Sequence, residues 1–323
     1  MTECPSCRST RTVDRSECTV PTELDSDKTP ASVRDMIEPL RESRLVECRD
    51  CGLLFREPGL TAEQLTKFYR NLPETIWRYE PAQVGSWACA KKTLHQLHDT
   101  TRSLDVVDVG AFEGGFLRML PDHWKKHAIE PSPQGRTSLR DTGVDVIGEY
   151  VDQLDQNTNY HEQFDVVTLF DVFEHLPSPI RTLDALAGLI KPGGRLLLST
   201  GNTDHWSWRM LEGSHWYLHS VQHLCFGNAK YFRQWAKQRD LQVERIVRHP
   251  HKLASPSASM VQALETLHCW SVRKRKTWLA RIIQMLPGCR DWMHRNGRTV
   301  FANSLRDHLL ICFRKPIAAT SAT

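Results

Sequence analysis

Two sets of residues in this 323-residue chain have the types and spacing to do chemistry. The first is a pair of CxxC knuckles, Cys4-Pro-Ser-Cys7 and Cys48-Arg-Asp-Cys51. Each knuckle can offer two thiolates to one metal, and two knuckles complete a tetrahedral shell, so Cys4, Cys7, Cys48 and Cys51 are expected to hold a structural Zn2+. Two unrelated thiol pairs, or a redox motif, are the competing reading. Gly52 suits the turn that the second knuckle needs. The separation of the pairs requires an accommodated loop, for which the acidic, Pro-containing segment Thr22 to Glu42 is the candidate; Cys18 stands outside the set. The second set is a line of acids, Asp108, Glu130, Glu149 and Asp171, each closing a short apolar run. Asp108 leads into a turn carrying Gly110, Gly114 and Gly115, whose backbone N–H groups can approach a ligand closely. Glu130 lies about 20 residues further on, where a carboxylate can accept hydrogen bonds from both hydroxyls of a ribose. That predicts an adenosine-containing cofactor. The turn fits the G-x-G-x-x-G fingerprint of NAD enzymes poorly.

The elements that must position these acids alternate regularly. Val106 to Asp108, His127 to Glu130, Val144 to Ile147, Phe164 to Phe170 and Arg195 to Ser199 read as strands, the last introduced by a Lys191-Pro-Gly-Gly194 turn. Phe116-Leu117 is expected to open a helix. Strands alternating with helices imply a mostly parallel sheet covered on both faces, with the ligand at the carboxyl ends of the strands. Thr61 to Gln64 makes a capping-box start to a helix reaching about Tyr69, and Trp87 to His98 reads as another. These two are connectors or a lid. Lys230 to Arg239 reads as a helix, and Leu241 to Val247 and Asp307 to Arg314 as strands.

Hydrophobic content of 40% and charged content of 25% are ordinary for a globular chain, and a net charge of +4 does not by itself imply nucleic acid. No apolar run approaches the ~20 residues that cross a bilayer, and the first residues lack the apolar core of a secretory signal. A cytoplasmic protein is the expectation, with its ten cysteines read as thiols or metal ligands before disulfides.

Asp108-Val-Gly110-Ala-Phe-Glu-Gly114, Glu130-Pro-Ser-Pro, Phe164-Asp-Val-Val, Asp171-Val-Phe-Glu174-His175-Leu176 and Leu189-Ile-Lys-Pro-Gly-Gly194 together resemble the successive motifs of class I S-adenosylmethionine-dependent methyltransferases. The resemblance covers about Leu104 to Pro316. It implies an α/β, Rossmann-like, seven-stranded, mostly parallel sheet with its last strand antiparallel, preceded by a small zinc-ribbon-like region. The expected organisation is a zinc-ribbon-like region over residues 1–58, a helical connector or lid over 59–103, and the methyltransferase domain over 104–316 with an insertion at 249–303. It further implies that Asp108, Gly110, Phe112 and Gly114 hold the methionine part of S-adenosylmethionine. Glu130 would bind the ribose hydroxyls, Glu149 would lie near the adenine, and Asp171 would close the methionine end. Phe112 stands where the family usually has a second glycine, and the turn is expected to be slightly reshaped there; keeping a positive φ would cost about 1–3 kcal/mol.

Methyl transfer needs alignment above all, and a base where the acceptor is a hydroxyl, amine or carbon acid. Between Gly201 and Gly227, His205, His215, His219 and His223 offer candidate bases among stackable aromatics. The segment ending Gln222-His223-Leu224 resembles the Glu-His-Leu segment of methyltransferases that modify sugars and related secondary metabolites. That makes His223 the candidate base and His175, which could instead cap the next helix, the alternative. Gln222 replaces a carboxylate that would have raised the basicity of His223. The expected activity is methylation of a small-molecule or glycan-type acceptor, O-methylation being favoured because sugar C-methyltransferases usually carry a further C-terminal domain. A quinone or polyketide-like hydroxyl is the alternative acceptor. A nucleic-acid-binding protein with a non-catalytic methyltransferase fold is the alternative class, disfavoured because the basic residues gather in one insertion. There, Trp270 to Arg298 holds eight Lys/Arg and one acid, with a core, WSVRKRKTWLARIIQML, read as one basic amphipathic helix. It either packs on the core or a second subunit, or contacts an anionic membrane surface or substrate.

Overall fold

The computed structural model describes residues 2–24, 29–71, 80–151, 154, 158–286 and 302–317. Strands β1 (Thr12–Glu17), β2 (Arg44–Cys48) and β3 (Leu54–Glu57) pair antiparallel in that order. The segment expected to loop out between the cysteine pairs instead carries helix α1 (Ala31–Ile37) and a 3-10 turn, Glu38–Glu42. The reason is amphipathicity, since Val33, Ile37 and Leu40 are buried against Leu60, Leu65, Phe68, Val221 and Leu224.

Helix α2 (Ala62–Asn71) starts at the expected capping box. Thr61 N–H donates to Gln64 Oε1 at 2.9 Å, and Gln64 N–H donates to Thr61 Oγ1 at 3.2 Å. Helix α3 (Gly85–Leu97) leads to β4 (Asp105–Val109), and then come β5 (Lys125–Ile129), α4 (Pro133–Asp141), β6 (Asp145–Gly148), β7 (Phe164–Phe170), α5 (Pro179–Leu189) and β8 (Ile190–Gly201). After the glycine turn the expected helix shrinks to a 3-10 turn, Leu117–Met119. Pro121 follows after Leu120, and proline disfavours the helical conformation of the residue before it, so Leu120 is extended (ψ 156°). The Lys191–Gly194 segment runs as the start of β8 itself, Gly193 adopting φ +83°.

The chain continues through α6 (Trp206–Leu211), β9 (Cys225–Phe226), α7 (Ala229–Lys237), β10 (Gln242–His249), α8 (Pro256–Arg273), α9 (Thr277–Gln284) and β11 (His308–Arg314). Seven strands form the central sheet in the order β10-β11-β8-β7-β4-β5-β6, all parallel except β11, which runs antiparallel to both neighbours. The strand order reverses between β4 and β7, so Asp108 near the end of β4 and Asp171 just past the end of β7 flank the switch point at which such sheets bind ligands. β7 is mostly apolar and almost wholly buried, as a central strand covered on both faces requires.

Two features were not foreseen. Cys225–Phe226 pairs with Leu54–Phe55 as the fourth strand of the N-terminal sheet, so the cysteine region is joined to the segment that follows β8. The basic stretch is not one helix: α8 ends near Arg273, Arg275 adopts φ +53°, and α9 folds back to pack Ile283 against Leu264, Leu267 and Leu279. Residues 287–298 of that stretch lie outside the described residues. No helix among the described residues is long and apolar enough to cross a membrane.

Candidate active site

The acids gather at one edge of the sheet, as expected. Gly110 N–H continues the ladder by donating to Ile129 O at 2.9 Å, and the chain then turns through Gly110 (φ +74°), Phe112 (φ +47°) and Gly114 (φ +75°). A side chain at Gly110 is not tolerated, since its Cβ would meet Val172 Cγ2 at 2.5 Å. Phe112 keeps the left-handed conformation that the family's glycine would have, so the turn is not reshaped as expected. What holds it there is Glu130. Oε2 accepts Phe112 N–H at 2.7 Å and Oε1 accepts Ser132 N–H at 2.7 Å, which ties the turn to the exit of β5. Ser132 in turn caps α4 by accepting Gly135 N–H at 3.1 Å.

Asp108 Oδ1 accepts the Thr168 hydroxyl at 2.6 Å across the β4–β7 pair. Burial pushes its carboxyl up to about 7, assisted by the charge of Glu130. Burial also raises Glu130, which its backbone N–H donors oppose. Asp171, at φ +53°, accepts the Ser86 hydroxyl at 3.2 Å on Oδ2 and is pushed to about 7 by burial. Glu149 pairs with Arg136 at 3.0 Å.

All four acids line one cavity of about 1220 Å3, with Gly110, Phe112, His175 and His223. It exceeds the ~300–1,000 Å3 typical of a single-ligand pocket, leaving room for a cofactor and an acceptor together. Leu65 and Tyr69 of α2 and Trp87 of α3 complete its wall, so these helices cover the site as well as connect it. Gly115 allows the approach of α3, since a Cβ there would meet Trp87 Cη2 at 2.4 Å.

The four histidines separate. His205 caps α6, and its Nδ1 lies 2.7 Å from Ser207 Oγ. His215 is buried, stacked on Trp208 at 4.1 Å and bonded to the same hydroxyl at 2.9 Å. His219 and His223 reach the cavity wall. His223 stacks on His175 at 5.1 Å, and its Nδ1 contacts Tyr217 O. A carbonyl only accepts, so Nδ1 carries the proton and Nε2 is the basic nitrogen of the neutral ring. Burial and the neighbouring His175 hold His223 well below the ordinary histidine range, and burial lowers His175 to about 3. His175 Nδ1 lies 3.1 Å from Tyr69 Oη. Helix α5 begins at Pro179 with no side-chain cap, so His175 is not a helix cap.

The carboxylate missing at Gln222 is replaced in space by Glu174, which sequence reasoning passed over. Glu174, His175 and His223 bring their ligand atoms within 4.8 Å of one another. Glu174 accepts hydroxyls from Tyr217 and, at 2.8 Å, from Thr200, and burial with Asp171 nearby raises it to about 8. The signal was present in Asp171-Val-Phe-Glu174-His175, two adjacent titratable residues just past a strand end. Asp307, His251 and His308 gave no such signal, because only the antiparallel placement of β11 brings them to this edge.

Away from the cavity, the four expected cysteines converge, with Cys4 Sγ 3.7 Å from Cys51 Sγ and Cys7 Sγ 3.5 Å from Cys48 Sγ. All four sulfurs lie within 4.8 Å of one another. A tetrahedral Zn2+ with bonds of about 2.3 Å separates its sulfurs by about 3.8 Å, so the set fits the ion. Gly52 adopts φ +75° at the second knuckle as expected, and Cys18 is packed elsewhere, near Trp208 and Trp216.

A doubly wound sheet whose glycine turn and strand-end acids share one large cavity is the arrangement expected of a class I methyltransferase. A methyltransferase-domain family model matches residues 80–246, about half of the chain, and the chain belongs to that family; S-adenosylmethionine is its cofactor. The chain is 27% identical over 220 residues to a ubiquinone biosynthesis O-methyltransferase of Coxiella burnetii, covering 61% of this chain and 90% of that one. A ubiquinone biosynthesis O-methyltransferase of Salmonella arizonae is 36% identical over 96 residues, 29% of this chain and 39% of its own. Among solved structures, the plantazolicin methyltransferase BamL, in complex with a triazolic desmethylPZN analog and SAH, superposes with a TM-score of 0.47 at 11% identity, covering 78% of this chain and 94% of its own. A putative sarcosine dimethylglycine methyltransferase of Galdieria sulphuraria gives 0.44 at 17% identity, covering 72% and 85%.

Proposed function

We propose that this methyltransferase O-methylates a small aromatic or quinol-type hydroxyl, with the cofactor cradled by the Asp108–Gly114 turn and Glu130. The observation that carries the reading is Glu130 bridging Phe112 N–H and Ser132 N–H on the wall of a cavity large enough for two ligands. When bound, S-adenosylmethionine supplies an electrophilic methyl group on a sulfonium. The cofactor is a net cation, and two acids on the cavity wall, the buried Asp108 and the half-buried Asp171, suit its charge. Glu130 accepts from the ribose hydroxyls, Glu149 borders the adenine, and Asp171 closes the methionine end.

The acceptor half is bounded by Tyr69, Trp216 and Tyr217, flat rings that stack on an aromatic acceptor better than on a branched glycan. The names of the two relatives, both ubiquinone biosynthesis O-methyltransferases, favour the same choice. His223 Nε2 takes the hydroxyl proton as the methyl group is transferred, and Tyr217 O holds the ring in the tautomer this needs. His175 stacks beneath it. The cysteine cluster holds a structural Zn2+ that fixes β3, and through it β9 and the His215–His223 segment. Exposed Trp278 and Ile282 on α9 and Met285 just past its end, beside Arg273, Lys274, Arg275 and Lys276, suit contact with an anionic membrane in which an apolar acceptor dissolves. An acceptor screen with S-adenosylmethionine tests the function. A phenol or quinol gaining one methyl on oxygen supports it, whereas methylation of glycans alone, or at carbon or nitrogen alone, contradicts it.

A further inference from the structure

We propose that Asp171, His251 and His308 form a binding site for a divalent transition-metal cation at the wall of the cavity, distinct from the four cysteines. Their ligand atoms lie within 4.8 Å of one another, and His251 Nδ1 is 3.9 Å from Asp171 Oδ1. A cation bound at about 2.1 Å needs ligand atoms roughly 3–3.5 Å apart, so small side-chain rotations close the shell.

Two of these atoms are left unsatisfied by the fold. Asp171 Oδ1 and His308 Nε2 are both buried and have no hydrogen-bond partner among the described residues, and His308 is only 1% exposed. Buried polar atoms without partners are uncommon, and here they converge on one point.

Two of the ligands, Asp171 and His308, are also oriented from behind, as metal ligands usually are. His308 Nδ1 lies 2.9 Å from Asp307 Oδ1, so it donates to that carboxylate and leaves Nε2 as a lone pair. Ser86 Oγ donates to Asp171 Oδ2 at 3.2 Å, which turns Oδ1 toward the histidines. The backbone of His251 is pinned by Gly85 N–H, which donates to His251 O at 2.9 Å. Gly85 cannot be replaced there, since a Cβ would lie 1.8 Å from Pro250 O. The topology explains why three distant residues meet. β11 runs antiparallel, so its first residue, His308, pairs with His249 at the end of β10 and Gly201 at the end of β8.

Two imidazoles and one carboxylate suit Mn2+, Fe2+ or Zn2+, whereas Mg2+ and Ca2+ prefer all-oxygen shells. Asp171 and His251 line the cavity, so the open coordination positions face the acceptor. This use rests on the methyl-transfer reading; the binding of the cation does not. An acceptor oxygen coordinated there loses its proton to His223 Nε2, the O–H bond breaking as the oxygen becomes the nucleophile. An O–CH3 bond then forms as the S–CH3 bond breaks, with no change of oxidation state. An acceptor with two adjacent oxygens would chelate the cation and bind best.

Titration with Mn2+ of the full-length protein carrying one Zn2+ per chain, enough for the four cysteines alone, following free Mn2+ by electron paramagnetic resonance, tests the site. Mn2+ avoids thiolates, so the cysteines do not compete. The expected result is roughly one Mn2+ per chain, weakened at least about tenfold in both His251→Gln and His308→Gln and unchanged in His223→Ala. S-adenosylhomocysteine binding and thermal unfolding on the same samples report the fold. Should His308→Gln fail to fold, His251→Gln, at the cavity wall, decides. Absence of stoichiometric Mn2+ binding overturns the site. So does wild-type affinity in folded His251→Gln, or loss confined to His223→Ala, which would move the metal to the Glu174–His175–His223 cluster. Mn2+ binding without S-adenosylhomocysteine binding would instead sink the cofactor reading and leave the site standing.

Discussion

Glu130 and Phe112 are joined by a 2.7 Å hydrogen bond from the Phe112 N–H to the Glu130 carboxylate, bridging 18 residues of chain. Phe112 sits at φ +47°, which a side chain rarely adopts, and the carboxylate is what pins it there. Comparison of two truncations isolates the strain. Phe112→Ala and Phe112→Gly both lose the ring, but only glycine relieves the backbone, so Phe112→Gly should be the more stable by about 1 kcal/mol in urea unfolding. Equal stability would mean the turn is unstrained in solution.

Asp108 gives the site a pH dependence. Its carboxyl is pushed from 3.8 to about 7 by burial, so the native state holds a proton that the unfolded chain has released. Stability of the free protein should therefore fall as pH rises from about 4 to about 7, and Asp108→Asn should flatten that slope. Affinity for the cationic cofactor should move oppositely, rising about tenfold between pH 6 and pH 8 in the wild type and little in Asp108→Asn. Parallel pH profiles in the two proteins would exclude Asp108 as the titrating group.

The cysteine cluster and the acceptor wall share a sheet through Leu54↔Phe226 and Phe55↔Cys225. Removing zinc with a chelator, or replacing Cys4 by Ser, should lower the melting temperature by at least about 5 °C and weaken acceptor turnover more than cofactor binding. Metal content near zero in unchelated wild-type protein would remove the zinc assignment.

His223→Ala should reduce turnover by about 10²–10⁴ while S-adenosylhomocysteine still binds as in the wild type. Turnover at the wild-type rate would end its role as base and return the question to His175.

The sheet, the glycine turn and the cysteine set were legible because each rests on local pattern. Apolar runs of strand length, glycines at a turn and paired CxxC spacing act over a few residues. The helix at Ala31–Ile37 was hidden by its acidic, proline-flanked neighbourhood, and its apolar stripe makes sense only against Leu60 and Leu224. The break at Arg275 was invisible because the amphipathic period runs through it. Glu174 and His223 were each readable, but not their meeting. Asp171, His251 and His308 come from three strand ends far apart in the chain, and such convergence is a property of topology alone.

Calorimetric titration of the wild type and of Glu130→Ala with S-adenosylhomocysteine tests the central claim most directly. The wild type should bind with a 1:1 stoichiometry. Glu130→Ala, which loses the proposed ribose acceptor together with the anchor of Phe112, should bind at least about a hundredfold more weakly, or roughly 3 kcal/mol. A folded wild type that shows no binding, or a Glu130→Ala variant that binds equally well, would contradict the account.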